Sequence, residues 1–199
     1  MPRVRREAGS EFLSSLDASR VCLEACATRP KLVVFDLDYT FWPCYCEMYE
    51  PDHPARVFDT ALGVLQALHE HDVPMAVASR TPTPDVAWSF LHQLRVVERF
   101  CNVQIIPAQD GYEHVTAQKD LEHFPNLKRE TGVAYEDMLF FDDEVQNVTR
   151  VSRLGVSCVL VDRATGIHHH ALREGLVKHA QKKRNQAHGA PSTTPDPRT

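Results

Sequence analysis

The chain has 199 residues, 43% hydrophobic and 25% charged, with a formal net charge of −5. That length suits one domain with loose ends, the apolar share argues against wholesale disorder, and no stretch approaches the roughly 20 apolar residues of a membrane span. The charge divides into about +1 over residues 1–29, +3 over 181–199 and −9 between them, and an acidic middle without a basic stripe excludes a nucleic-acid binder.

Residues 1–29 lack strand character; Phe12, Leu13, Leu16 and Leu23 allow one weak amphipathic helix, and the segment reads as a loosely structured extension. Glu7, Glu11, Asp17 and Glu24 count against an organelle transit peptide. With no apolar secretory run, the six cysteines are expected to be reduced and the protein cytoplasmic, with access to the nucleus. Cys22, Cys26, Cys44, Cys46, Cys101 and Cys158 form no paired C-x2-C knuckles and no C-x5-R phosphate loop, so each reads as a buried or incidental thiol.

From residue 30 the pattern alternates. KLVVFDL (31–37) is a short buried strand, and 57–72 places Ala61, Leu62, Leu65 and Leu68 at helical spacing. PMAVAS (74–79) is a second strand, 84–99 a helix opened by Pro84, and NVQIIP (102–107) a third strand. A helix is expected near 117–131, broken or restarted by Pro125. MLFFDD (138–143) is the fourth strand, 145–155 a helix stopped at Gly155, VSCVLV (156–161) the fifth strand, and 165–181 a last helix. The tail 181–199, with three prolines and little apolar, is expected to be disordered. The fold class is therefore α/β: a doubly wound, mostly parallel five-stranded sheet with helices on both faces, spanning 30–180.

In such sheets ligands bind beyond the carboxyl ends of the strands. There the sequence places Asp36 and Asp38 after the first strand, Ser79-Arg80-Thr81 after the second, and Asp142-Asp143-Glu144 after the fourth. Lys119, the only lysine between Lys31 and Lys128, precedes the fourth. Four aspartates at the ends of two buried strands raise one another's pKa unless a cation sits among them, and an all-oxygen donor set favours Mg2+.

FDLDYT, ASRT, Lys119 and FFDDE, in that order, resemble the four motifs of the haloacid dehalogenase-like (HAD) phosphotransferase superfamily. FDLDYTFWP, ASRT, TGV (131–133), FFDDE and RLGV (153–156) are most similar to the eukaryotic magnesium-dependent phosphatases, over about residues 30–163. The resemblance implies an Asp36 nucleophile forming an aspartyl-phosphate, with Asp38 as general acid and then base. It implies Mg2+ held by Asp36, the Asp38 carbonyl and Asp143, with Asp142 orienting a metal-bound water. Ser79 and Lys119 would bind the phosphoryl group, and Arg80 corresponds to a substrate-contact position. A nearly capless site implies a phosphorylated small molecule or phosphoprotein as substrate, phosphotyrosine or a protein-attached sugar phosphate among them, and a monomer is expected.

Plainer readings stand beside these. Ser79 equally suits a turn cap, Arg80 a surface ion pair, Trp42 packing beneath the loop, and Thr40 fixing of the turn. His168–His170 point about 100° apart on a helix and read as solvated surface. Two stretches depart from the family: 41–59 is shorter than the usual flap hairpin, and 108–120 is longer, leaving Lys119 one residue out of register with His123-Phe124. A catalytically inactive binding module is the alternative. A phosphoacceptor receiver domain fits poorly, because the third strand ends at Ile106-Pro107 without the aspartate such domains phosphorylate.

Overall fold

The computed structural model describes residues 9–107 and 118–189. The long segment before Lys119 thus lies outside the described residues up to residue 117, as does the expected disorder of 190–199. Five strands form one sheet: β1 (Leu32–Phe35), β2 (Met75–Ser79), β3 (Asn102–Ile105), β4 (Met138–Asp142) and β5 (Ser157–Leu160). Their order is β3-β2-β1-β4-β5, and every pairing is parallel. The helices are α1 (Ser10–Glu24), α2 (Asp59–Glu70), α3 (Pro84–Leu94), α4 (His123–Thr131), α5 (Val145–Ser152) and α6 (His169–Gly189).

The alternation of strand side chains sorts these helices onto two faces. Val33, Phe35, Met75, Val77, Leu139, Phe141 and Val159 point into one core with residues of α1, α2, α3 and α6. Leu32, Val34, Ala76, Ala78, Met138 and Phe140 point into the other, beneath α4 and α5. Central strands β1, β2 and β4 are buried along their whole length, which is why they read as uninterrupted apolar runs. Pro125 falls in the first turn of α4, where its missing N–H costs nothing. Helix α5 stops at Ser152, and Gly155 takes the left-handed conformation at φ 100° that lets the chain turn into β5.

Two expectations need correction. Residues 1–29 are not a loose extension throughout: α1 lies along α2 and buries Ser15, Leu16, Ser19 and Leu23. The approach is close because α2 offers Gly63 there. A Cβ at that position would lie 2.8 Å from the Leu16 nitrogen and the Phe12 carbonyl oxygen. The Ser15 hydroxyl donates to the Thr60 carbonyl at 2.9 Å, and Arg20 grips Glu70 through Nε at 2.7 Å. Leu16 and Leu23 belong to the weak apolar stripe read from the sequence, but Ser15 and Ser19 facing a glycine carry no hydrophobic periodicity, so the pattern does not reveal the docking.

The second correction concerns the tail. Helix α6 runs on to Gly189, because Gln, Lys, Arg and Ala are strong helix formers and no proline intervenes. Lys183, within the basic run, pairs with Asp137 at 2.5 Å. The same helix begins at His169, later than expected, because Gly166 occupies a left-handed turn. The stretch 41–59 forms no hairpin. It makes a tight turn closed by an Asp38–Trp42 bridge, then a 3-10 turn over Cys46–Met48. No helix among the described residues is long and apolar enough to cross a membrane.

Candidate active site

Beyond the carboxyl ends of β1 and β4, side-chain oxygens of Asp36, Asp142 and Asp143 lie within 4.8 Å of one another. Asp36 leaves β1 with its amide still bonded to the Phe141 carbonyl, so the register of β1 against β4 fixes the spacing of the carboxylates. Lys119 enters from the turn ahead of α4, with its carbonyl accepting from the Phe124 amide at 2.9 Å. Its ammonium sits between two carboxylates, 2.5 Å from Asp36 Oδ1 and 2.6 Å from Asp142 Oδ2.

The electrostatics are those of a negative cluster only partly neutralised. Burial pushes the Asp36 carboxyl well above its usual range; Lys119 opposes this, while Asp142, Asp143 and Asp38 add to it. Burial alone would lower the Lys119 ammonium, but Asp142 and Asp36 outweigh it and hold the group above its ordinary value. Asp143 is pushed up to about 6 by burial and by Asp142, against the pull of Arg163. Asp36 and Asp143 stay raised despite Lys119 and Arg163, so the cluster calls for more positive charge than those two supply, and its donors are all hard oxygens. These residues fit a Mg2+ ion.

The roles of the three carboxylates differ by how committed each is. Asp142 Oδ1 accepts from the Glu144 amide at 2.7 Å and from Asn147 at 3.1 Å, while Oδ2 accepts from Lys119 and, at 3.1 Å, from Asn147. Fully engaged, Asp142 suits an outer, orienting role better than direct ligation. Asp36 and Asp143 are the better donors.

Asp38 does not join the three. Its carboxylate turns toward the short loop, where Oδ1 accepts from the Trp42 indole at 2.6 Å and from the Cys46 amide at 3.1 Å. Burial raises its pKa, and those hydrogen bonds moderate the rise. Trp42 packs beneath the loop, fully buried with its ring 5.5 Å from that of Phe90, and the same indole donates to Asp38. Cys46 is a buried thiol, as expected, and it sits against the site. Its sulfur lies 3.9 Å from Asp38 Oδ2 and 3.2 Å from the Thr81 hydroxyl, and burial pushes its pKa up to about 12, keeping it protonated.

Ser79 ends β2, 2% exposed, at the same sheet edge. Its carbonyl accepts from His123 Nε2 at 2.8 Å, which ties the Lys119-bearing turn to the β2 end. Burial lowers the His123 pKa to about 4, so the ring is neutral. Arg80 lies at the edge of the site, 3.5 Å from Glu144. Thr40 accepts the Ile167 amide on its carbonyl, fixing the turn through backbone rather than hydroxyl.

Asn147, His123, Cys46 and Arg163 have no site role in the sequence reading. An asparagine five residues past Asp142, in the first turn of the next helix, was a readable signal; the others carried none. Arg163, between β5 and α6, reaches Asp143 Oδ2 with Nε at 2.6 Å. It also donates to the Tyr45 hydroxyl at 3.0 Å. The three histidines lie half-buried to exposed at the start of α6, with His169 and His170 rings 4.0 Å apart. They are not part of the carboxylate cluster.

The chain is similar to known proteins in sequence and in fold. Residues 28–182 match the family model described as Acid Phosphatase. The human protein magnesium-dependent phosphatase 1 is 32% identical over 170 residues, covering 78% of this chain and 90% of the relative. A HAD-superfamily hydrolase from Ehrlichia chaffeensis superposes with a TM-score of 0.56 at 12% identity, over 76% of this chain and 98% of the other. The N-terminal phosphatase-containing part of BF1531 from Bacteroides fragilis, solved with Mg, superposes at 0.58 and 15% identity, over 81% of this chain and 43% of that one. At such identities the two structures establish the fold.

Proposed function

The chain belongs to the acid phosphatase family and is a magnesium-dependent phosphatase of the HAD superfamily; on that premise we propose that it hydrolyses phosphomonoesters through an aspartyl-phosphate on Asp36. The observation that carries the proposal is Lys119 held between Asp36 and Asp142, with the oxygens of Asp36, Asp142 and Asp143 within 4.8 Å.

Asp36 and Asp143 would hold Mg2+, with the Asp38 carbonyl completing the protein ligands and Asp142 orienting from outside. Bound there, the ion supplies charge stabilisation to the phosphoryl oxygens. Lys119 pins one oxygen of Asp36 and adds a positive charge where the transferring phosphoryl group gathers negative charge. The Asp36 carboxylate attacks phosphorus, the P–O bond to the leaving group breaks, and Asp38 gives its proton to the departing oxygen. Water then attacks the same phosphorus, Asp38 takes its proton, and phosphate leaves with Asp36 restored. Ser79, at the β2 end, is suited to donate to a phosphoryl oxygen, and Arg80 to meet the substrate at the rim.

The stretch after β1 is a short turn rather than a cap, which supports access by bulky substrates. Phosphotyrosine on a protein and protein-attached sugar phosphates are the substrate classes that the family resemblance favours. Asp36→Asn should abolish Mg2+-dependent hydrolysis of an aryl phosphate while circular dichroism shows an intact fold. Retained turnover would sink the mechanism.

A further inference from the structure

Arg163 is built into the site from an unusual direction. Its side chain is 47% exposed, yet its Nε lies 2.6 Å from Asp143 Oδ2, on a carboxylate only 4% exposed. Its outer edge is held by the short loop. Nη1 donates to the Tyr45 hydroxyl at 3.0 Å, and the guanidinium lies 5.2 Å from the Tyr39 ring and 5.7 Å from the Tyr45 ring. Those rings meet edge to face at 4.7 Å, and Tyr39 takes a left-handed backbone at φ 53°. Glu144 approaches Arg163 at 3.7 Å and Arg80 at 3.5 Å, so both arginines gather at one lip of the mouth.

A guanidinium and a divalent cation on one carboxylate repel each other and draw on the same lone pairs. The ion pair to Asp143 therefore opposes ligation by that residue. If the pair breaks, the tyrosine rings and the Tyr45 hydroxyl still hold the guanidinium at the mouth, with donors turned loose beside an incoming phosphate. A planar fork of five N–H donors matches a phosphate geometrically.

We propose that Arg163 exchanges partners during the reaction cycle: it neutralises Asp143 before metal binds, yields that carboxylate to Mg2+, and then binds the phosphoryl group of the substrate. The proposal rests on Asp143 being a metal ligand, as read above. It makes Arg163 both a brake on metal affinity and a substrate-binding residue.

Calorimetric titration of the full-length protein with Mg2+ alone, then with inorganic phosphate at saturating Mg2+, tests both halves without turnover. In Arg163→Gln the Mg2+ dissociation constant should fall about fivefold, and phosphate binding should weaken about tenfold. Arg163→Lys, which keeps the charge without the fork, should recover phosphate binding only in part. Unchanged or weaker Mg2+ binding in Arg163→Gln would overturn the exchange and leave Arg163 as a support for Asp143. Unchanged phosphate binding would overturn the second half. Asp143→Asn is the control on the premise: if it leaves Mg2+ affinity intact, the metal assignment fails rather than the exchange.

Discussion

The Lys119 ammonium lies 2.5 Å from the Asp36 carboxylate although 83 residues separate them in the chain. Lys119 sits ahead of α4 and Asp36 at the end of β1, and the sheet order brings both elements to one edge. Lys119→Met removes the buried cation and leaves Asp36 and Asp142 facing each other. Breaking a buried pair on one side costs about 3–5 kcal/mol. The variant should melt well below the parent in EDTA and recover part of the loss when Mg2+ is added. Equal melting temperatures in EDTA would show that the lysine does not compensate the cluster.

Trp42 donates to the carboxylate assigned as general acid, so its loss should be felt in catalysis more than in binding. Trp42→Phe keeps most of the packing against Phe90 and removes the 2.6 Å donor. Turnover should fall about tenfold for an aryl phosphate and by more for an alkyl phosphate, whose leaving oxygen depends more on protonation. A loss independent of the leaving group would separate Trp42 from proton transfer.

The α1–α2 contact has its own test. Gly63→Ala places a methyl group 2.8 Å from the Leu16 nitrogen and the Phe12 carbonyl oxygen. Overpacking of this kind costs about 1–3 kcal/mol. Urea unfolding should register that loss, although alanine normally strengthens a helix relative to glycine. A stabilised variant would mean that α1 does not dock as described.

Stability should also fall in mild acid. His179 is fully buried against β5, with Nδ1 3.3 Å from the Ser157 hydroxyl. Burial and the nearby Lys183 lower its pKa from 6.5 to about 4. The unfolded ring takes up a proton near pH 6.5 while the folded ring resists until about 4, so its contribution is intact above 6.5 and lost as the pH falls toward 4. The full span is worth about 3 kcal/mol. Denaturant unfolding at pH 7.5, 6, 5 and 4.5 should show the decline, and His179→Gln should make it shallower while the buried His123 ring still contributes. An unchanged slope would place the acid sensitivity elsewhere.

The five strands were legible within a residue or two, because β1, β2 and β4 are buried on both faces and read as apolar runs bounded by turns. The carboxylate cluster was legible for a related reason: its members follow those strands directly in the chain. What escaped was set by tertiary proximity. Arg163 and Tyr45 meet across 118 residues, and neither belongs to a motif. Serines interrupt the apolar inner face of α1, and α6 continues past its apolar stripe on helix propensity and the Lys183–Asp137 pair. Cys46 is buried as expected, but its place against Asp38 depends on the fold of the loop.

The covalent step is open to direct capture. Asp38→Asn should still transfer phosphate from an aryl phosphate, whose leaving group needs little protonation, but should hydrolyse the product slowly. Borohydride quenching followed by peptide mass spectrometry should then find the Asp36 side chain reduced in the presence of Mg2+ and unmodified with EDTA. Modification at another residue, or multiple turnover with Asp36 never labelled, would contradict an aspartyl-phosphate on Asp36.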